Sequence, residues 1–290
     1  YVTIQNVQVT EVFDKNGEYE NPNITVKDAG GNTIQLYIPL YVSNYCTNFC
    51  VYCGFNHEND IHRKMLTLDE VKAETDVISR WGFKHILLVS GEAPMVAGVD
   101  YYEQVIRSIR DNFSQIALEV QPLKTEEYAR LHEAGLSYVC VYQETYNERE
   151  YPKYHPAGRK ANYRYRLETG DRVCSAGVQK MGIGALLGLE DWRTDSFFTA
   201  LHLKYLEKNY WRTKFSISLP RLRPHAGSFM PKDPIADREM VQLICAYRML
   251  DQEAEITIST REGRDFRDHL MHLGATSMSA GSSTEPGGYV

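Results

Sequence analysis

At 290 residues, 43% hydrophobic and 24% charged, the chain has the apolar material for a sizeable core, which excludes a disordered protein and makes one domain the expectation. Its net charge of −6 and the lack of any long Lys/Arg run give no footprint for nucleic acid. No stretch approaches the roughly 18 to 20 consecutive apolar residues that span a bilayer, no basic-then-apolar signal segment opens the chain, and six cysteines, three of them within eight residues, read as ligands rather than a disulfide framework, so a cytoplasmic protein with no membrane partner is expected.

Residues 1–33 alternate polar and apolar positions around Lys15-Asn16-Gly17 and Gly30-Gly31-Asn32, predicting an N-terminal β-rich appendage before the main domain at 34–290. From residue 34 onward short aliphatic runs alternate with longer amphipathic stretches. Strands are predicted at 34–42, 84–89, 115–120, 138–142, 180–186, 214–218, 255–259 and 275–279. Helices are predicted near 67–81, 99–111, 125–134, 162–176, 193–209, 235–250 and 261–271, with Thr67 and Thr125 read as caps ahead of acidic first turns. Eight such units predict a single (β/α)8 TIM-like barrel, an open doubly wound sheet being the alternative. After the eighth strand the chain reads Pro286-Gly-Gly-Tyr-Val290, so a truncated or missing last helix is expected.

The chemistry concentrates in Cys46-Thr-Asn-Phe-Cys50-Val-Tyr-Cys53, directly after the first barrel strand. Three thiolates are one short of closing a tetrahedral zinc site or a fully ligated 4Fe-4S cluster, and an iron left open can chelate a substrate or cofactor. The alternative is a zinc knuckle completed by His57 or His62, on a barrel that serves as a binding module without catalysis. Cys140, Cys174 and Cys245 lie in apolar patterns and read as core.

The C-x3-C-x2-C pattern with Tyr52 before its last cysteine resembles the radical S-adenosylmethionine (SAM) superfamily. That resemblance implies a radical SAM barrel in which Cys46, Cys50 and Cys53 hold a 4Fe-4S cluster, the open iron binds the amino and carboxylate groups of SAM, and a 5′-deoxyadenosyl radical results. It places Tyr52 near the adenine and Ser90, Gly91 and Glu92 at the SAM amino group, since a carboxylate suits an ammonium. The segments Glu119-Val-Gln-Pro-Leu123, Val141-Tyr-Gln-Glu-Thr-Tyr146, Arg166-Leu-Glu-Thr169, Leu219-Pro-Arg-Leu-Arg-Pro224, Ser259-Thr-Arg-Glu262 and Ser277-Met-Ser-Ala-Gly-Ser282 resemble the aromatic amino acid lyase branch, and most of all the 2-iminoacetate synthases, the tyrosine lyases of thiamine thiazole biosynthesis.

What this implies is cleavage of the Cα–Cβ bond of L-tyrosine to 2-iminoacetate and p-cresol, with 5′-deoxyadenosine and methionine as coproducts. A low-potential electron donor such as flavodoxin or ferredoxin is then expected, with thiazole synthase as the recipient of the imine. Arg261 is the expected partner of the substrate carboxylate, seconded by Ser279, with Arg221 and Arg223 able to meet a carboxylate of SAM or substrate. Gln143 and Glu144 are placed by the resemblance at the SAM side, Glu144 on the ribose hydroxyls, and Arg172 at the SAM carboxylate. The related tyrosine lyase of FeFe-hydrogenase maturation, or a tryptophan lyase, is the alternative within this branch.

Overall fold

The alternation of aliphatic runs with amphipathic stretches produces a closed barrel. The computed structural model describes residues 8–9, 25–27, 33–222 and 229–290. The turn residues of the expected N-terminal hairpin fall outside them, as does Arg223.

Short strands β1 (Gln8–Val9) and β2 (Thr25–Lys27) pair antiparallel with each other, and β2 pairs antiparallel with the start of β3 (Thr33–Ser43). The parallel array continues through β4 (His85–Ser90), β5 (Gln115–Glu119), β6 (Tyr138–Cys140), β7 (Lys180–Gly184), β8 (Lys214–Ser218), β9 (Glu255–Ile258) and β10 (Ser277–Ser279). Pairings β3–β4 and β3–β10 close it, so the described residues form an eight-stranded parallel barrel and not the open sheet.

Helices α1 (Leu68–Arg80), α2 (Val99–Ile109), α3 (Thr125–Ala134), α4 (Tyr151–Tyr154), α5 (Tyr163–Leu167), α6 (Thr169–Ser175), α7 (Trp192–Asn209), α8 (Asp237–Leu250) and α9 (Arg264–Leu270) follow in chain order. Thr67 forms the anticipated capping box with Glu70, each accepting the other's backbone N–H. Thr125 is instead the first helical residue: the cap position is Lys124, whose N–H reaches Glu127 at 2.8 Å. The single helix expected over 162–176 is two, broken at Glu168.

Along each strand one set of side chains packs outward into the helices and the other lines the barrel. The outward set (Ile38, Leu40, Ile86, Leu88, Ile116, Leu118, Val139, Met181, Ile183, Ile217, Ile256, Ile258) forms the main core with the helices. The inward set mixes phenols with small and aliphatic side chains: Tyr37, Tyr41, Leu87, Val89, Ala117, Tyr138, Cys140 and Tyr142 cluster there, above a base where Gln35 bonds Gln115 and Lys180 pairs with Glu255. Cys174 belongs to the outer core as expected, and Cys140 is buried inside the barrel, but Cys245 is exposed on α8, which corrects its reading as core.

Among the described residues no helix follows β10. The segment after it runs beside α1, where Gly288 and Tyr289 donate their N–H groups to Glu74, the Tyr289 hydroxyl donates to the Pro39 carbonyl at 2.5 Å, and its ring meets Trp81 edge-on. The strap thus fills helix-layer space next to β3. No helix among the described residues is long and apolar enough to cross a membrane.

Candidate active site

The cysteine loop leaves β3 and crosses the C-terminal mouth of the barrel, held by bonds that its own sequence supplies. Asn44 donates to the His62 carbonyl and accepts the Lys64 N–H, while the Arg63 guanidinium gathers the carbonyls of Asn44, Phe55, Asn56 and Asn59. Asn48 works on both flanks: its Nδ2 donates to Glu92 Oε2 at 2.9 Å and its Oδ1 accepts the Lys160 N–H at 3.0 Å. Thr47 bonds the Glu92 carbonyl through both its N–H and its hydroxyl. The loop's far side pairs with the segment beyond β6, Phe49 N–H to Ala157 O and Val51 N–H to Tyr154 O.

Two glycines explain how closely these segments approach. A Cβ on Gly91 would lie 2.3 Å from the Tyr45 carbonyl oxygen, and one on Gly158, already at φ +90°, would lie 2.3 Å from Asn48 Oδ1. Ser90-Gly91-Glu92 therefore buttresses the thiol loop from below, with Ser90 Oγ turned onto the Gly91 carbonyl.

Over the mouth sits a buried charge network. Glu92 Oε1 accepts Arg166 NH1 at 2.8 Å; Glu144 Oε1 accepts Lys160 Nζ at 2.5 Å and faces Arg166 NH2 at 3.5 Å. Burial alone would raise the Glu144 carboxyl, but the Lys160 and Arg166 cations outweigh it and hold it below the usual range. Glu144 adopts φ 71°, left-handed backbone that a non-glycine residue rarely takes, and such strain clusters at functional sites. Tyr52 is buried against Leu186, Leu189 and Leu222, and its hydroxyl donates to His155 Nε2 at 2.8 Å, the His155 Nδ1–H going to the Tyr151 carbonyl. Burial and the nearby Lys160 push His155 down to about 3, so it stays the neutral acceptor this bond needs.

The three thiols are free, with Cys50 buried and Cys46 and Cys53 partly open. Burial pushes the Cys50 thiol up to about 12. Among the described residues no three His, Cys, Asp or Glu side chains converge on one point as a mononuclear ion requires, and the His57 Nδ1 is bonded to the Cys46 carbonyl. Three free thiols in one loop are the donor set that would hold an iron–sulfur cluster with one iron left open. The Phe55 N–H directed at Cys53 Sγ, 3.4 Å away, is the kind of donor that tunes such a thiolate.

The remaining residues expected at the site divide. Gln143 lies on the helix-facing side, beside Val141, Met181, Ile183 and His202, and both polar atoms of its buried amide lack a partner among the described residues. Arg172 is engaged by the carbonyls of Leu123 and Tyr165 and the Thr169 hydroxyl and stacks on the Tyr165 ring; Arg166, six residues earlier on α5, is the arginine that enters the mouth. Arg221 is buried in a bidentate pair with Glu262, with Ile235 O and Asp237 both on its remaining nitrogen, NH1, so it is committed to the fold. Gln121 is likewise committed, to Tyr102 and Ala97. Ser279 is buried, accepts the Thr260 N–H at 3.0 Å and so fixes the turn carrying Arg261. Arg261 itself is exposed at the mouth, and its guanidinium makes no hydrogen bond or ion pair among the described residues.

Sequence reasoning missed Asn48, His155, Lys160 and the role of Arg166, and it cited Glu119 only as part of a motif. The signal for most of them was the 28-residue stretch 141–168 between β6 and α6, since connections of that length inside a barrel are usually functional.

Comparison with known proteins agrees with this geometry. Residues 40–200 match the family described as the Radical SAM superfamily, and residues 218–289 match the Biotin and Thiamin Synthesis associated domain. The 2-iminoacetate synthases of Salmonella typhimurium and Escherichia coli are each 46% identical over 260 residues, 89% of this chain and 69% of theirs. The FeFe-hydrogenase maturase HydG of Carboxydothermus hydrogenoformans superposes with a TM-score of 0.85 at 36% identity, covering 89% of this chain and 61% of that one; a second HydG structure gives 0.85 at 34%, covering 88% and 58%. Methylornithine synthase, at 20% identity and a TM-score of 0.72, shares the fold. With the family match spanning more than half of the 290 residues, and with a thiol loop pinned across the mouth of a parallel barrel, this chain belongs to the radical SAM superfamily.

Proposed function

We propose that this chain is a carbon–carbon lyase that cleaves the Cα–Cβ bond of L-tyrosine to 2-iminoacetate and p-cresol in the service of thiamine thiazole formation, a reading supported by the two 46%-identical relatives named 2-iminoacetate synthase. Cys46, Cys50 and Cys53 would hold a 4Fe-4S cluster, which together with SAM supplies the one-electron chemistry that starts hydrogen abstraction and leaves 5′-deoxyadenosine and methionine. The observation that carries this reading is the stacking of three layers: thiol loop, the Glu92–Arg166–Glu144–Lys160 network, and a barrel interior lined with phenols below an unpaired Arg261.

Each layer has a task. Glu92 takes the SAM amino group and Glu144 the ribose hydroxyls, with Arg166 and Lys160 holding the two carboxylates in place. Ser90 and Gly91 keep the thiol loop low, and Tyr52 closes the side of the site nearest His155. Arg261 takes the tyrosine carboxylate on a turn that Ser279 fixes. The dry, packed barrel keeps a reactive carbon centre from being quenched and limits which hydrogen lies within reach. Thiazole synthase would receive the unstable imine, a low-potential donor such as flavodoxin or ferredoxin would deliver the electron, and a reducing, cytoplasmic setting suits both.

The test is anaerobic reconstitution with iron and sulfide, followed by dithionite, SAM and tyrosine. A brown protein producing p-cresol and 5′-deoxyadenosine supports the reading. A colourless protein holding stoichiometric zinc, or cleavage of another amino acid in preference to tyrosine, refutes it. The HydG likeness favours the FeFe-hydrogenase branch as the second reading.

A further inference from the structure

Of the charged side chains around the barrel mouth, most are consumed by one another. Glu92, Glu144, Lys160 and Arg166 form one network and Arg221 with Glu262 another. Two are not. Arg261 has no side-chain partner among the described residues, and neither does Glu119.

Glu119 ends β5, two residues beyond Ala117, whose side chain is in the inward cluster, so its carboxylate faces the barrel interior. Register places it level with Val89 on β4, itself paired with Tyr41 on β3. Around it stand the phenols of Tyr37, Tyr41 and Tyr142, the Cys140 thiol, and Arg261 within electrostatic reach. An inward-facing acid with no bonded cation is costly, and an arginine within electrostatic reach that does not close onto it leaves the acid open to a ligand's charge. A free amino acid has the complementary pattern, a carboxylate and an ammonium one carbon apart.

We infer that Glu119 receives the α-ammonium of the substrate while Arg261 receives its α-carboxylate, so that the two form a zwitterion clamp that selects free α-amino acids and orients the Cα–Cβ bond toward the mouth. The inference deepens the tyrosine-lyase reading and rests on it. Glu119 is then a substrate-binding residue with no part in holding cluster or SAM. The carboxyl is pushed up to about 7, chiefly by burial and then by Glu144, as befits an acid awaiting a cation.

The experiment measures equilibrium binding to the iron- and sulfide-reconstituted protein with SAM and without reductant, so that no turnover occurs. Ligands are L-tyrosine, its deamino analogue 3-(4-hydroxyphenyl)propanoate, and L-phenylalanine. Wild type should prefer tyrosine over the deamino analogue by about tenfold or more, the worth of a charged hydrogen bond, and Glu119→Gln should bring the two within about threefold without changing iron content. Glu119→Asp, which keeps the charge and retracts it, should retain an intermediate preference, which guards against a purely structural effect. Undiminished preference for the amino group in Glu119→Gln overturns the clamp. So does a loss of discrimination between tyrosine and phenylalanine instead, which would put Glu119 on the phenol. If wild type binds tyrosine and forms p-cresol while the variant behaves as wild type, only this inference fails; if wild type does neither, the tyrosine-lyase reading itself fails.

Discussion

Replacing Glu119 by Gln should make the empty protein more stable at pH 8 and leave it unchanged near pH 4.5. The carboxyl is raised from 4.5 to about 7, first by burial and next by Glu144, with Arg261, Lys160 and Arg166 opposing. Facing it are Tyr37 and Tyr41 from β3, Cys140, Tyr142 and Glu144 from β6 and its loop, Lys160 and Arg166 from the segment beyond, and Arg261 from the β9 loop. Because the native pKa lies above the unfolded one, the native state keeps a proton that the unfolded chain has already lost between those values. Wild-type stability therefore falls as pH rises from about 4.5 to 7 and stays lowered above that. At about 1.36 kcal/mol per pH unit the full cost is roughly 3 kcal/mol, and water reaching the carboxylate through the barrel mouth brings the expected figure nearer 2. Gln keeps the shape and carries no such cost. Urea denaturation of the two cluster-free proteins at pH 5 and pH 8 measures the difference, which should widen with pH over that interval. An equal gain at both pH values, or a loss at pH 8, would refute the argument, because either result means that Glu119 is not the strained acid the barrel makes it.

Arg221→Met should destabilise the fold by about 3 kcal/mol, the cost of breaking a buried pair, while tyrosine affinity of the folded protein stays within about twofold; Arg261→Gln should do the reverse, weakening tyrosine binding by about tenfold or more at unchanged denaturation midpoint. In Gly91→Ala the new methyl meets the Tyr45 carbonyl at 2.3 Å and Cys46 Cβ at 3.2 Å, so the thiol loop must lift; iron and sulfide per chain should fall by about half or more with circular dichroism preserved. Arg166→Met should weaken SAM binding by about tenfold in equilibrium dialysis, since Glu92 and Glu144 lose their shared cation, whereas Arg172→Ala should leave it within about twofold and cost about 1 kcal/mol of stability through its lost carbonyl bonds.

How much of this was legible in the sequence depends on the kind of signal each residue carries. The barrel strands were readable because the outward face of every one is apolar, and the helices because their apolar positions recur at helical spacing; the observed bounds differ by a few residues at most, except that the helix expected over 162–176 is two. The thiol trio was readable because it is local. Arg221, by contrast, looks from sequence like a site residue at a strand end, and only the fold brings Glu262, 41 residues away, to consume it. The same logic separates Arg172 from Arg166: both follow β6 on short helices, and which one enters the mouth depends on where Glu92 and Glu144 stand, which no periodicity encodes.

Glu119 is the instructive case, because its meaning lies in a missing partner rather than in a contact. Inward positions of a barrel strand normally carry groups that satisfy one another, as Lys180 does with Glu255 and Gln35 with Gln115 at the base. Toward the mouth that pattern stops, and an acid and an exposed arginine stand within electrostatic reach without a hydrogen bond. Holding the acid there without a bonded cation costs stability in the empty protein, a cost relieved when a ligand brings its own positive charge to it. On this argument the base of the barrel is built for the fold and the mouth for the substrate, and the boundary runs at the level of Tyr41, Glu119 and Cys140. Exchanging a base pair such as Lys180 and Glu255 for apolar residues should therefore change stability without touching ligand selection, while any neutral substitution at Glu119 should do both.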